Sequence, residues 1–124
     1  MEYPGYGIYQ ADPANCDTLL ECAQVVFSFV TKTMGYLPQD VLLMGRSIGS
    51  GPACFLASQY PKVAALILLS PFTSLKDAVK TYLGKLPAML VRDRFINRHA
   101  IQKVECPTLL VHGMADRMVP PSHS

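Results

Sequence analysis

A serine enclosed by glycines is the residue in this sequence with the clearest potential for chemistry. Residues 45–51 read GRSIGSG and follow the apolar run 41–44, VLLM. Three interpretations compete: a loop whose backbone amides bind phosphate, an ordinary glycine-rich turn, and a nucleophilic hydroxyl held at a sharp corner between a strand and a helix. The residues on either side of Ser47 decide between them.

The phosphate-loop interpretation fails on two counts. A P-loop requires Lys-Ser or Lys-Thr after its last glycine, but Gly51 is followed by Pro52 and Ala53. The dinucleotide-binding pattern G-x-G-x-x-G requires a glycine at the position that Cys54 occupies. Neither phosphate motif is therefore present.

The turn interpretation is weaker than the nucleophile interpretation. A G-x-S-x-G match arises by chance in about 4% of chains of this length, before an apolar strand and a following helix are also required. A nucleophile at such a corner adopts a strained conformation, and Gly45 and Gly49 flank it because side chains there would collide. We therefore predict that Ser47 is a catalytic nucleophile and that the Ile48 N–H, at the positive end of a helix, supports an oxyanion.

Short apolar runs alternate with helical patterns along the rest of the chain, which favours an α/β fold built from parallel strands. A helix with a stripe formed by Leu19, Ala23, Val26 and Val30 is predicted to end at Gly35, and a second helix to span about 48–60. Strands are predicted at 41–44, 64–69 and 108–112, parallel and adjacent in that order. Because their apolar residues are consecutive, these strands require cover on both faces of the sheet.

Composition places the chain among globular proteins. It has 124 residues, of which 50% are hydrophobic and 16% charged, so we predict a single domain over 1–124. The formal net charge of +2 is too small to indicate a nucleic-acid partner. Seven of the eleven Lys and Arg lie between Lys76 and Lys103, which favours a solvated helical face over an acidic or membrane-surface partner.

Targeting and cysteine patterns favour the cytoplasm. No apolar run approaches the roughly 18 residues of a membrane span, and no signal peptide is recognisable. The four cysteines form no CxxC pair and no zinc spacing, so we predict free thiols in a reducing compartment, with no cofactor and no metal.

Four segments in this order resemble the α/β-hydrolase superfamily: EYPGYG, GRSIGSGPA, SPFTS and PTLLVHGMADRMVP. They are most similar to the branch of α/β-hydrolase-domain serine hydrolases that includes protein depalmitoylases and prolyl-oligopeptidase-like members. The resemblance covers nearly the whole chain. It implies a partial α/β-hydrolase fold, in which a remnant of the parallel sheet retains flanking helices and a helical cap segment at about 71–104.

The resemblance also implies roles for particular residues. Asp116 matches the acid that orients the catalytic histidine, whereas Tyr3 and Tyr6 match packing positions. The cap usually shapes substrate entry, so contact with an acyl group and plain helix packing are the alternatives for Leu83, Leu86, Met89 and Leu90, with packing favoured for any one of them.

The family's histidine and part of its oxyanion hole have no match in these 124 residues. In the family the histidine follows one further strand, which would lie beyond residue 124, so His99, His112 and His123 are each predicted to be non-catalytic. The second oxyanion donor and the third strand of the family would precede Met1. We therefore expect a three-stranded sheet with an uncovered apolar face.

The implied function is that of a serine hydrolase acting on acyl esters or thioesters, with protein depalmitoylation among the activities of the branch and an acylated protein among its substrates. This chain alone is expected to be inactive. The alternative is a truncated, non-catalytic fragment or pseudo-enzyme with at most a binding role. Association with a membrane is considered only for a full-length form.

Overall fold

The computed structural model describes residues 15–83 and 96–124, together with Tyr3, Gly5 and Gly7. Three strands form one sheet: β1 (Leu42–Arg46), β2 (Ala65–Leu69) and β3 (Thr108–Val111). All pairings are parallel and the order is β1-β2-β3. The α/β class and the predicted order of parallel strands are therefore confirmed.

Four helices accompany the sheet in the described part of the chain. They are α1 (Cys16–Ser28), α2 (Ser50–Gln59), α3 (Leu75–Leu83) and the single-turn α4 (Asn97–Ala100). Asn15 caps α1 by accepting from the Thr18 N–H at 2.9 Å. The α1 segment continues as a π turn, Phe29–Thr33, and stops at Gly35, where a φ of +80° suits glycine.

The buried stripe of α1 agrees with the predicted one only in part, and Val30 is half-buried in the turn that follows α1. Leu19 and Ala23 are buried as expected, but Val26 is 42% exposed and Phe27 is buried instead. The Phe27 ring stacks on Tyr60 with 4.2 Å between ring centroids. An aromatic pair buries more apolar area than a valine would, so this contact sets the rotation of α1 against the end of α2.

The main core lies between α2 and one face of the sheet. Leu43 of β1 and Leu66 and Leu68 of β2 pack there against Cys54 and Ala57 of α2. A smaller cluster of Leu19, Phe72 and Val119 lies apart from it, and Tyr3 packs against that cluster, as predicted.

The opposite face of the sheet is apolar and open within the described residues. Met44, Ile67 and Leu109 are register partners across the three strands and so share this face. Met44 is 62% exposed and Leu109 56%. Beside β1, a groove of about 390 Å³ is lined in part by Leu42, Met44 and Val26. The structure thus agrees with the expected uncovered face.

The cap assignment at about 71–104 remains a prediction. Helices α3 and α4 lie within that range, and no strand occurs in its described part. Leu86, Met89 and Leu90 lie outside the described residues, as does the side chain of Leu83.

We predict that the 124-residue chain self-associates through the open face, because exposed apolar patches larger than a few hundred Å² promote association. Met44→Lys combined with Leu109→Glu places charges on both sides of Ile67 and should shift the sedimentation profile toward the monomer. The exposed Gln59→Lys on α2 is the matched control and should leave association unchanged. A wild-type chain that is already monomeric and binds no hydrophobic dye would contradict this prediction.

Candidate functional site: the corner after β1

Ser47 lies directly after β1 and has a φ of +49°. A residue with a β-carbon rarely adopts this region, at a cost of about 1–3 kcal/mol, and surrounding structure must hold it there. The chain then makes one 3-10 turn, Ser47–Gly49, and enters α2 at Ser50. This is the strand-to-helix corner that the sequence pattern predicted.

The close approach of backbone to backbone explains Gly45. A β-carbon on Gly45 would lie 2.4 Å from the Gly49 carbonyl oxygen and 2.8 Å from the Ala53 β-carbon. Gly49 is less restricted, since its β-carbon would lie 3.2 Å from the Tyr3 hydroxyl and meet no other atom within 4 Å. The structure therefore gives a strict steric reason for Gly45 and a milder one for Gly49.

Ile48 is the second residue of the turn before α2 and is 37% exposed. The first N–H groups of a helix have no acceptor within the helix, and their dipoles add to a positive end. The position of Ile48 is thus compatible with an oxyanion donor, and that role remains a prediction.

Ser47 lines a pocket of about 230 Å³ whose other lining residues are apolar. Leu75, Ala78 and Val79 come from α3, and the remaining lining residues are Ile48, Phe72, Met118 and Val119. The pocket therefore brings the corner after β1 together with the loop that contains Asp116.

Asp116 follows β3 and organises its own loop. Its Oδ1 accepts the N–H groups of Met118 at 2.9 Å and Val119 at 3.0 Å. The hydrogen bond from the Val119 N–H is the main reason that the pKa of Asp116 lies below its usual value. Partial desolvation raises the pKa, but hydrogen bonds from Met118 and Ser70 and the charge of His112 lower it further. Asp116 is therefore a carboxylate at neutral pH.

Ser47 and Asp116 follow the carboxyl ends of β1 and β3, so both lie at the same edge of the sheet. One strand separates β1 from β3, which corresponds to about 10 Å between the two outer strands. Ser47 and Asp116 therefore lie at the same edge of the sheet, as a nucleophile and its acid would. That they act as nucleophile and acid stays a prediction.

His112 lies beside Asp116, with 3.8 Å between its Nε2 and the carboxylate Oδ2, whereas His123 and His99 contact other parts of the chain or solvent. His112 Nε2 lies 2.6 Å from the Val119 carbonyl oxygen, and its Nδ1 bonds to the Ser124 hydroxyl. His123 bonds through Nδ1 to Thr73 at 3.0 Å and through Nε2 to Thr81 at 3.2 Å. His99 is exposed on α4, and no histidine is among the described residues that line the Ser47 pocket.

Sequence reasoning missed two buried polar residues beside the corner. Asn97, at the start of α4, is 6% exposed, and its Nδ2 donates to Ser50 Oγ and to the Phe72 carbonyl oxygen, each at 2.9 Å. Ser50 is fully buried. The position of Ser50 directly after the G-x-S-x-G pattern was the only sequence feature that pointed to a role for this residue. Nothing in the sequence indicated that the Asn97 side chain would bond to Ser50.

Cys54 can be set aside as an alternative nucleophile. It is fully buried in α2, and burial raises the pKa of its thiol to about 12. A thiol with such a pKa is almost entirely protonated at neutral pH and is therefore unreactive.

We predict that Gly45→Ala distorts the corner, since the new β-carbon would collide with the Gly49 carbonyl oxygen. Overpacking of this kind typically costs about 1–3 kcal/mol, which denaturant unfolding would measure. Gly113→Ala is the matched control, because its β-carbon would meet only the Asp116 β-carbon at 3.9 Å. Equal destabilisation by both substitutions would contradict the steric account of Gly45.

Asp116 should make the stability of the chain depend on pH. Its folded-state pKa is lowered from a reference value of 3.8, so its stabilising effect is present above pH 3.8 and is lost as pH falls through the folded-state pKa. Wild type should exceed Asp116→Asn in free energy of unfolding at pH 6, and the difference should shrink as pH falls below 3.8. A difference that is constant or grows toward low pH would contradict this assignment.

Comparison with known proteins identifies the family. Human alpha/beta hydrolase domain-containing protein 17B is 32% identical over an alignment 127 positions long, which covers 98% of this chain and 41% of the relative. Alpha/beta hydrolase domain-containing protein 17C of Xenopus tropicalis is also 32% identical, with 98% of this chain and 38% of the relative covered. The chain thus spans about two fifths of the length of these curated relatives.

No protein-family model matches the chain, and no solved structure matches it significantly. The aligned range nevertheless covers almost all of the chain and so spans the region of Ser47 and of the three parallel strands. The chain belongs to the α/β-hydrolase superfamily, of whose fold it forms a part.

Proposed function

We propose that this chain contributes the nucleophile and the acid of a serine hydrolase that acts on acyl esters or thioesters. The observation that supports the proposal most is the conformation of Ser47, whose φ of +49° places it at a strand-to-helix corner beside an apolar pocket. Ser70, after β2, also has a positive φ of +44°, so the conformation of Ser47 supports the proposal through its place at the corner beside the pocket. Strained residues of this kind are concentrated at functional sites.

In the proposed reaction, Ser47 Oγ attacks the carbonyl carbon of the acyl group, and its proton passes to a histidine imidazole. The Ile48 N–H stabilises the negative charge that develops on the carbonyl oxygen. The alcohol or thiol then leaves with the proton from the imidazole, and water releases the acyl group from Ser47 by the same steps in reverse. Asp116 orients the histidine, which we expect from residues outside these 124.

The pocket lining supports an acyl substrate rather than a charged one. Leu75, Ala78 and Val79 of α3 present apolar surface beside Ser47, and burial of an acyl chain there gains about 25 cal/mol per Å² of apolar surface removed from water. Protein depalmitoylation is the finer form of this proposal, since the branch that the sequence resembles includes depalmitoylases. An acylated protein would then be the substrate.

A non-catalytic role is the second candidate, and the histidines favour it. His112 and His123 are engaged by Val119 and by Thr73 and Thr81, so neither is free to serve Ser47 in this arrangement. Without a general base the Ser47 hydroxyl is a weak nucleophile. In this second proposal, the chain has the strand-to-helix corner with Ser47 but does not catalyse hydrolysis, and its function is at most to bind a partner.

The cytoplasm is the proposed location. None of the four cysteines forms a disulfide, and Cys16 and Cys22 are partly exposed. Within the described residues, no helix combines the length and the apolar character that crossing a bilayer requires.

A fluorophosphonate probe separates catalysis from the non-catalytic alternative, because it phosphonylates only an activated serine. We expect weak or no labelling of the 124-residue chain and strong labelling of any longer product of the same gene that supplies a histidine. Ser47→Ala should abolish the labelling. Ser58→Ala, which removes another hydroxyl from α2, should not.

The proposal fails if a product with a complete domain is not labelled at Ser47. Strong labelling of the 124-residue chain itself, lost in Ser47→Ala, would instead show that the site needs no residue outside this chain. It would thereby contradict the expected inactivity of the chain alone.

A further inference from the structure

A buried chain of hydrogen bonds joins the corner serine to a residue fifty positions away. The Ser47 carbonyl oxygen accepts the Ser50 hydroxyl at 2.6 Å, in addition to the backbone N–H of Ser50. Ser50 Oγ in turn accepts from Asn97 Nδ2 at 2.9 Å. Ser50 is fully buried and Asn97 is 6% exposed, so the bond between them is shielded from water, whereas the bond to the Ser47 carbonyl is partly buried.

Both hydrogens of the Asn97 amide are used. One goes to Ser50 and the other to the Phe72 carbonyl oxygen, also at 2.9 Å. Phe72 and Ser47 line the same pocket. A single amide group therefore ties together the corner after β1 and the loop after β2, on two sides of the space where a substrate would lie.

This connection has a reason in the backbone of Ser47. A positive φ at a residue with a β-carbon is unfavourable, so the peptide that follows Ser47 tends to rotate toward an ordinary conformation. Such a rotation would move the Ser47 carbonyl away from Ser50 and would reorient the Ile48 N–H on the same peptide unit. Two hydrogen bonds to that carbonyl oppose the rotation.

We infer that Ser50 and Asn97 are positioning residues, which hold the Ser47–Ile48 peptide in the orientation that hydrolysis requires without touching the substrate. The inference rests on the proposed hydrolase function for its effect on rate, whereas the tether itself is a property of the fold. The expected contribution is to the reaction rate after binding, because neither side chain lines the Ser47 pocket.

Ser58 provides a matched control. Its hydroxyl donates to the carbonyl oxygen three residues earlier, Phe55, at 2.7 Å, which is the same kind of bond on the same helix but away from the corner. Ser50→Ala and Ser58→Ala therefore each remove one hydroxyl-to-carbonyl bond, and only Ser50→Ala also removes the acceptor of the Asn97 amide. Asn97→Leu removes the amide while keeping a similar volume.

The first measurement is hydrogen exchange at the backbone amide of residue 50, whose N–H donates to the Ser47 carbonyl oxygen. This measurement requires no catalytic activity. Exchange should become about ten-fold faster or more in Ser50→Ala and in Asn97→Leu, and should be unchanged in Ser58→Ala. Unchanged exchange in Ser50→Ala would overturn the tether. If a variant unfolds globally, exchange in native-state urea titrations separates local opening at the corner from unfolding.

The second measurement is the rate of fluorophosphonate labelling of Ser47, in whichever product of the gene is labelled. Ser50→Ala and Asn97→Leu should each lower the maximal labelling rate about 10- to 100-fold while leaving the half-saturating probe concentration within about two-fold. The double variant should be little slower than either single variant, since both break one chain of bonds.

The outcomes distinguish the inference from the proposed function. Faster exchange at the corner with no labelling of any product would support the tether and refute the hydrolase. Labelling that is equally fast in wild type and Ser50→Ala would refute the positioning role and leave the hydrolase intact. A change in half-saturating concentration alone would also refute it, because that result indicates a role in binding.

Discussion

The contact on which the site depends is the close approach of Gly45 to the backbone of the corner that follows it. Only hydrogen fits between Gly45 and the Gly49 carbonyl oxygen, 2.4 Å from where a β-carbon would lie. This approach lets the chain pass from β1 into α2 within one turn, and Ser47 adopts a φ of +49° in that turn. The strain at Ser47 thus accompanies tight packing of the helix against the strand.

Parallel pairing converts that local corner into a potential site. Because β1, β2 and β3 run in the same direction, the loops that follow them meet at one edge of the sheet. The loop after β2 contributes Phe72, and the loop after β3 contributes Val119. Asp116 fixes that last loop by accepting two backbone N–H groups, so its carboxylate has a structural task whether or not it has a chemical one.

The sequence was sufficient to predict the features that depend on local pattern. Consecutive apolar residues such as those of β2 predict buried parallel strands, and G-x-S-x-G after a strand predicts the strained Ser47, because each signal has one dominant physical cause. The resemblance placed Asp116 at the correct edge of the sheet.

The features that depend on distant packing were not predictable. Phe27 is buried and Val26 is exposed on α1 because the Phe27 ring stacks on Tyr60, and helical periodicity does not encode the position of Tyr60. Asn97 reaches Ser50 only because α4 docks beside α2. The pocket lining by Leu75, Ala78 and Val79 of α3 was likewise not predicted. The acyl contacts predicted at Leu83, Leu86, Met89 and Leu90 concern side chains outside the described part of the structure and stay a prediction.

The central claim is that Ser47 and Asp116 are two members of one hydrolytic site whose third member is an imidazole. Free imidazole added to the 124-residue chain tests it directly, with the rate of fluorophosphonate labelling at Ser47 as the measurement. The labelling rate should rise with imidazole concentration and saturate, and it should lose this dependence in Asp116→Ala. Labelling that imidazole leaves unchanged, or that it accelerates equally in wild type and Asp116→Ala, would contradict the claim.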